Sequence, residues 1–188
     1  MTSTDRRYFQ EKYSASQDPW NFSTSWYEKR KYALTIGALP NERYANAFEP
    51  GCSIGVLSEM LASRCDRVLS TDIMDIALEL ARSRTAPLDN LRVEYLAIPE
   101  QWPREIFDLV VISEVAYYFD EPTLAEIIDL VIQTTESGAH IVGVHWRGVT
   151  DYPLSAQEVH RRFDQCTRFR RIVHHEDNHF LLDVWERI

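Results

Sequence analysis

The sequence is poor in cysteine, in basic charge and in long apolar runs, and each shortage excludes a class of protein. Cys52, Cys65 and Cys166 form an odd set with no CxxC pair, which disfavours a disulfide framework and a structural zinc site and leaves three reduced thiols. Lysine and arginine number 20 against 29 aspartates and glutamates, a formal charge of -9. A nucleic acid or an anionic membrane needs a basic face, so neither is the expected main partner. The two arginines of "MTSTDRRYFQEKYSASQ" have no apolar stretch behind them, which argues against a secretory signal, and no run elsewhere approaches bilayer length. A cytoplasmic protein with a small-molecule partner is expected; oligomeric state is not readable.

What is present is an ordinary folding composition. Apolar residues make up 45% and aromatics 12%, enough for burial to offset ordering entropy. The 188 residues suit one domain. Helical character is expected from Tyr8 to Tyr13 and from Ser25 to Leu39, the second stopped by Pro40, with "SQDPWNF" as a loop between them. From residue 44 short apolar runs alternate with amphipathic ones: "NAFEPG", "RVLSTD", "LRVEYLA", "FDLVVIS" and "AHIVGVHW" read as strands, and "IGVLSEMLASR", "MDIALELARSR" and "EPTLAEIIDLVIQTTE" as helices. That rhythm predicts a parallel sheet covered by helices. "SAQEVHRRF" reads as a further helix, and "RFRRIVHH" and "HFLLDVWERI", separated by "EDN", have hairpin spacing. The expected fold is α/β and Rossmann-like: a mostly parallel seven-stranded sheet with one antiparallel C-terminal strand, helices on both faces and an N-terminal helical lid. The expected organisation is a single domain, 1–188, with 1–43 as the lid and 44–188 as the α/β core.

The stretch "FEPGCSIGVLSEMLA" reads as strand, glycine-bearing turn and helix. It matches neither G-x-G-x-x-G nor the phosphate loop G-x-x-x-x-G-K-[ST]. With Gly51 as first glycine of a dinucleotide fingerprint, the second and third positions fall on Ser53 and Val56, whose side chains would obstruct a pyrophosphate or the strand-to-helix contact. This weighs against a dehydrogenase. Gly51 and Gly55 still bring backbone close to something. Asp72 ends the second strand about twenty residues after the turn, where an acid accepts hydrogen bonds from a ribose diol. A ligand with adenosine, no phosphate and a cationic end that suits Glu49 is S-adenosylmethionine.

"FEPGCSIGVLSEMLASRCD", "STDIMDIALELAR" and "FDLVVISEVAYYF" resemble the first, second and fourth motifs of class I S-adenosylmethionine-dependent methyltransferases. With "DPWNF" upstream, the chain most resembles the NodS-type N-methyltransferases from about Asp18 to about Phe119. The resemblance implies methylation of a free amine on an aminosugar at the end of a chitooligosaccharide, with S-adenosyl-L-homocysteine as product. It implies a cation from the N-terminal helices at the cofactor's carboxylate, which Arg30 or Lys31 could supply, and Trp20 could close over the site; a solvated helix face and a packed tryptophan are the alternatives. Where the family often has an acid on the adenine amine, this chain has Ile98 and Pro99, so that contact would be apolar or made by backbone.

Glu49 is expected on the methionyl ammonium and the Gly51 and Cys52 backbone, with Ser53 and Gly55, along the methionine portion. Ile73 and Met74 either cover the adenine or belong to the core. Ser113, Glu114 and Val115 follow the fourth strand. Glu114, Tyr117 and Tyr118 place a carboxylate and two phenols where they could orient an amine or remove its proton, although packing is an equal reading for the phenols. After the fifth strand His145 could act as general base or be structural. Trp146, Arg147 and Asp151 could contact a sugar. His174, His175 and His179 flank the hairpin turn and are read as surface histidines rather than a metal site. Oxygen methylation and a non-catalytic cofactor-binding role remain open.

Overall fold

A computed structural model describes residues 3–188. Two helices come first, α1 (Arg6–Ala15) and α2 (Trp26–Gly37). The chain then runs β1 (Ala47–Pro50), α3 (Val56–Ala62), β2 (Val68–Asp72), α4 (Asp75–Thr85), β3 (Leu91–Tyr95) and β4 (Phe107–Ser113). A 3₁₀ turn (Ala116–Tyr118) leads to α5 (Glu121–Gln133), β5 (Thr135–Trp146), α6 (Ala156–Gln165), β6 (Phe169–Glu176) and β7 (Phe180–Arg187). Polar side chains cap the unpaired N–H groups that start α1, α5 and α6. Asp5 accepts from Arg7 N, Asp120 from Thr123 N, and Ser155 with Glu158 closes a reciprocal capping box.

The seven strands follow the order β3-β2-β1-β4-β5-β7-β6, the expected Rossmann-like sheet. Contact density separates the described chain into two units, Asp5–Ala97 and Ser3–Thr4 with Ile98–Ile188. In the first, β1 pairs parallel with β2 and β2 with β3. Every residue of β1 is buried, the pattern of a strand covered on both faces, and Phe48, Leu61, Leu69 and Leu78 are fully enclosed. In the second unit β4 pairs parallel with β5, β7 runs antiparallel to β5, and β6 runs antiparallel to β7. The hairpin therefore contributes the one strand that opposes the sheet's direction.

One boundary departs from expectation. The helix expected to run through "QTTE" stops at Gln133, and Thr135 and Glu136 open β5. Thr134 and Thr135 turn their hydroxyls back onto Leu130 O and Val131 O at 2.7 and 2.6 Å. Side chains that bond the backbone in this way compete with helix propagation. The register shift between Phe107 and Leu109 absorbs the extra strand length. No helix among the described residues is long and apolar enough to cross a membrane.

Phe163 stacks on Trp185 at 5.0 Å and 27°, and Trp185 lies against β5. A Cβ built on Gly143 would stand 2.8 Å from the indole and 3.5 Å from His160, so this glycine is fixed by close approach. Gly143→Ala is expected to cost about 1–3 kcal/mol, the range for overpacking a closed core, measured as a lowered urea midpoint at unchanged slope.

Candidate functional site

In the first unit the turn after β1 is built on backbone conformations that L-residues avoid. Gly51, Ser53 and Gly55 have φ of 74°, 50° and 77°. Gly55 has a second constraint, since a Cβ there would meet Cα and Cβ of Ala81 at 3.0 Å. Ser53 has no such excuse, and a non-glycine residue in this region costs about 1–3 kcal/mol unless its surroundings hold it. Two contacts hold it: Ser53 N donates to Asp72 Oδ2 at 2.9 Å, and Ser53 Oγ is 2.5 Å from the hydroxyl of Tyr13. The turn is closed by Gly55 N to Cys52 O at 3.0 Å and tied to β2 by Cys52 N to Thr71 O at 2.9 Å.

Asp72 also accepts from Ile73 N and Met74 N, both on Oδ1, at 2.8 and 2.9 Å. A carboxylate offers about four acceptor positions, and three are used on backbone. The acid expected to receive ribose hydroxyls therefore braces the turn and the start of α4 as well. Its surroundings raise its pKa through desolvation, against the pull of the three N–H donors.

Glu49 is 2% exposed. Its Oε2 accepts from Ser58 Oγ at 2.5 Å and Ser70 Oγ at 2.7 Å. No hydrogen bond among the described residues reaches Oε1. Burial pushes its pKa up to about 7, the two serines oppose the shift and Asp72 adds to it. Burial pushes the Cys52 thiol up as well, with Asp72 and Glu49 next in effect. The Tyr13 phenol is pushed up by burial and then by Asp72. Around this turn burial and neighbouring acids favour protonated forms, and a cation would relieve Glu49.

The two helices contribute differently from expectation. Lys31 is 1% exposed and paired with buried Glu28 at 2.9 Å, with its ammonium 4.8 Å from the Tyr27 ring. It is not part of a solvated helix face. Arg30 is half-buried. Trp20 meets Tyr13 edge-on at 5.7 Å and stacks on Phe22 at 5.5 Å. Met74 belongs to the apolar cluster of Tyr13, Ile54 and Ala77, against which Trp20 and Ile73 pack. Sequence reasoning assigned Tyr13 no role. Its signal was only an aromatic on a helix, and its partner lies 40 residues away.

In the second unit, Ile98 is half-buried and Pro99 buried, joined by a cis peptide bond. Ser113 ends β4, and Glu114 after it has φ 55°, another strained non-glycine residue at a strand tip. Glu114 N donates to Val144 O at 2.8 Å, its Oε2 accepts from Trp146 N at 3.1 Å, and the Tyr117 hydroxyl donates to the same oxygen. Burial, then Glu114, pushes the Tyr117 phenol well up. Val115 precedes the 3₁₀ turn that carries both tyrosines. Tyr118 lies edge-on to Tyr117 at 4.7 Å, and Tyr152, which sequence reasoning missed, packs on both at 5.1 and 4.6 Å.

His145 is wholly buried, with Nδ1 3.0 Å from His160 Nε2. Arg147 turns away to the hairpin, with Nη1 donating to Asp177 O and Nη2 2.7 Å from Glu176. Asp151 is exposed. His174 bonds Asp183 at 2.6 Å and His175 lies 3.5 Å from Asp177. No group of three or more metal-ligating side chains is assembled among the described residues.

The strand order, the strained turn after β1 and the acid ending β2 define the class I S-adenosylmethionine-dependent methyltransferase fold. The chain belongs to the Nodulation protein S (NodS) family, whose family model matches residues 2–149. Nodulation protein S of Bradyrhizobium diazoefficiens is 34% identical over 119 residues, 63% of this chain and 57% of that protein. The Rhizobium tropici protein of the same name is 28% identical over 68% of this chain and 55% of its own length. The chain thus spans little more than half the length of these relatives. Among solved structures, a candidate methyltransferase from Pseudomonas syringae shares 42% identity at TM-score 0.77, covering 87% of this chain and all of that one. N-methyltransferase NodS from Bradyrhizobium japonicum WM9, in complex with S-adenosyl-L-homocysteine, superposes at TM-score 0.85 with 22% identity over 96% and 97% of the chains, a likeness of fold.

Asp72→Ala removes the acceptor of three backbone N–H groups and is expected to destabilise by about 1–3 kcal/mol, read from urea denaturation. Glu49 has the opposite sign from a paired surface acid: its folded pKa is raised, so the folded chain binds the extra proton. Between the ordinary glutamate range and about 7, stability should fall as pH rises. Glu49→Gln should flatten that slope in thermal melts taken across the window.

Proposed function

We propose that the chain is an S-adenosylmethionine-dependent methyltransferase of one domain that N-methylates an amine on a small molecule or aminosugar. Family membership and the Pseudomonas syringae likeness support the class. The observation that carries the cofactor assignment is Glu49: a carboxylate sealed inside a strand end, with one oxygen held by two serines and its pKa raised to about 7. Among the described residues its hydrogen-bond partners are serines and no cation pairs with it, and the methionyl ammonium would supply one. The turn fits the rest, because Gly51 and Ser53, both at positive φ, leave backbone exposed or half-exposed after β1 and no lysine serves a phosphate. Asp72 has one acceptor position left for a ribose hydroxyl. Bound there, the cofactor would supply a methyl group on a cationic sulfonium.

Methyl transfer of this kind needs a lone pair, alignment and exclusion of water, and no covalent intermediate on the protein. Glu114 takes the acceptor side in this reading. Its carboxylate is held by Tyr117 and Trp146 N, so it can accept a hydrogen bond from an amine and take its proton. Buried Tyr117 and Tyr118 line that side with Tyr152. Cytoplasmic action on a soluble amine is part of the same proposal, supported by the composition and by the lack of a membrane-length apolar helix among the described residues.

Calorimetric titration with S-adenosylmethionine at pH 6 in buffers of different ionisation enthalpy tests the cofactor assignment. Binding should release a proton, because the ammonium draws Glu49 into its charged form, and the observed enthalpy should change with buffer. Glu49→Gln should abolish that dependence and weaken binding roughly 10- to 100-fold, the worth of a charge-assisted hydrogen bond of about 1.5–3 kcal/mol. Buffer-independent binding by the wild type, or none at all, would overturn the assignment. For the acceptor, mass spectrometry after incubation with paired amino and hydroxyl sugars should find the methyl on nitrogen.

A further inference from the structure

The tip of β5 carries two duties on adjacent residues. Val144 O and Trp146 N hold Glu114 by its backbone N–H and its carboxylate. His145, between them, sends its side chain elsewhere. Its Nδ1 lies 3.0 Å from Nε2 of His160 on α6, whose Nδ1 lies 2.5 Å from Oδ2 of Asp183 on β7. The other oxygen of Asp183 lies 2.6 Å from Nδ1 of His174 on β6. His145, His160 and Asp183 are 0%, 3% and 1% exposed, while the His174 side chain is 45% exposed. A hydrogen-bonded row of four side chains therefore runs from the strand tip that clamps Glu114 to solvent. Its last three members lie beyond residue 149, where the family match ends.

The donor inventory fixes the protons. A carboxylate only accepts, so His160 and His174 each carry hydrogen on Nδ1. One hydrogen lies between His145 Nδ1 and His160 Nε2. Arg171 Nε stands 3.8 Å from Asp183 and its Nη1 bonds Asp164, which also receives Trp185 Nε1. Glu176 lies 3.7 Å from His174 Nε2, and the Tyr117 ring packs on His145 at 5.3 Å. Apolar packing alone would anchor a strand at lower desolvation cost, so this connected row calls for another use.

We propose that His145, His160 and Asp183 are positioning residues for Glu114, fixing the β5 tip that clamps its carboxylate, and that His174 carries the protonation state of the row from solvent to that clamp. The proposal rests on Glu114 as the acceptor-side carboxylate. It makes His145 an anchor rather than the group that takes the acceptor's proton.

Carbon-13 NMR titration of the Glu114 carboxyl in the intact protein tests the coupling without turnover. The wild type should show a second inflection that follows the His174 imidazole, and His174→Gln, a surface change, should erase it. In methyl transfer to an aminosugar, Asp183→Asn should lower kcat/KM for the acceptor roughly 10- to 100-fold, the scale of a small misplacement, with cofactor affinity unchanged. His160→Gln, which can still reach His145, should retain more activity than His160→Asn, which reaches only Asp183. An identical Glu114 titration in wild type and folded His174→Gln would overturn the proposal, whatever Asp183→Asn does to folding. A coupled Glu114 titration in a protein that methylates no amine would sink the acceptor assignment and leave the coupling standing.

Discussion

The hydrogen bond from Ser53 N to Asp72 is the contact on which the first unit's chemistry depends. Ser53 occupies a backbone region with no intrinsic preference for serine, between two glycines that share the same sign of φ. A carboxylate at the end of the neighbouring strand receives its N–H while anchoring the start of α4, and the Tyr13 hydroxyl holds its side chain. Asp72 must be partly enclosed to do so. Its charge then adds to the desolvation already acting on Glu49, Cys52 and Tyr13. Geometry and electrostatics at this turn have a common origin, and both favour a cationic guest without a phosphate.

The second unit solves a related problem with a different device. Glu114 is also a strained residue at a strand tip, and it is held by the strand next to it through Val144 and Trp146. The neighbouring strand is stiffened from its far side by the C-terminal hairpin and α6, which supply Trp185, His160 and Asp183. Gly143 permits that approach, since any larger residue would displace the indole. The hairpin and α6 lie beyond residue 149, where the family match ends, and they pack on β5 through Trp185 and His160.

Much of this was legible in one sequence, but unevenly. The strand and helix rhythm, the hairpin and the turn at Gly51–Gly55 are local patterns, set by side-chain periodicity and by residues that few conformations accept, so they could be read without partners in view. Thr134 and Thr135 sit in an apolar helical pattern, and their hydroxyl bonds to Leu130 and Val131 left no periodic trace. Lys31 has the sequence setting of a cofactor cation or a solvated helix face, and its burial against Glu28 and Tyr27 depends on what covers the helix. His145 had the right type and place for a base, and only its ring partner shows which way it faces.

The amino-acid order by itself determined the alternating α/β plan, the acids at the ends of β1 and β2, and the absence of a phosphate loop, because each follows from neighbours within one element and its turn. Tertiary structure decided how each acid is held, Glu49 by two serine hydroxyls and Asp72 by three backbone N–H groups. It also joined Tyr13 to Ser53, and His145 to His160, Asp183 and His174. Hydrogen bonds between residues 9 to 40 positions apart depend on where the fold brings different elements together, and no local pattern encodes that meeting.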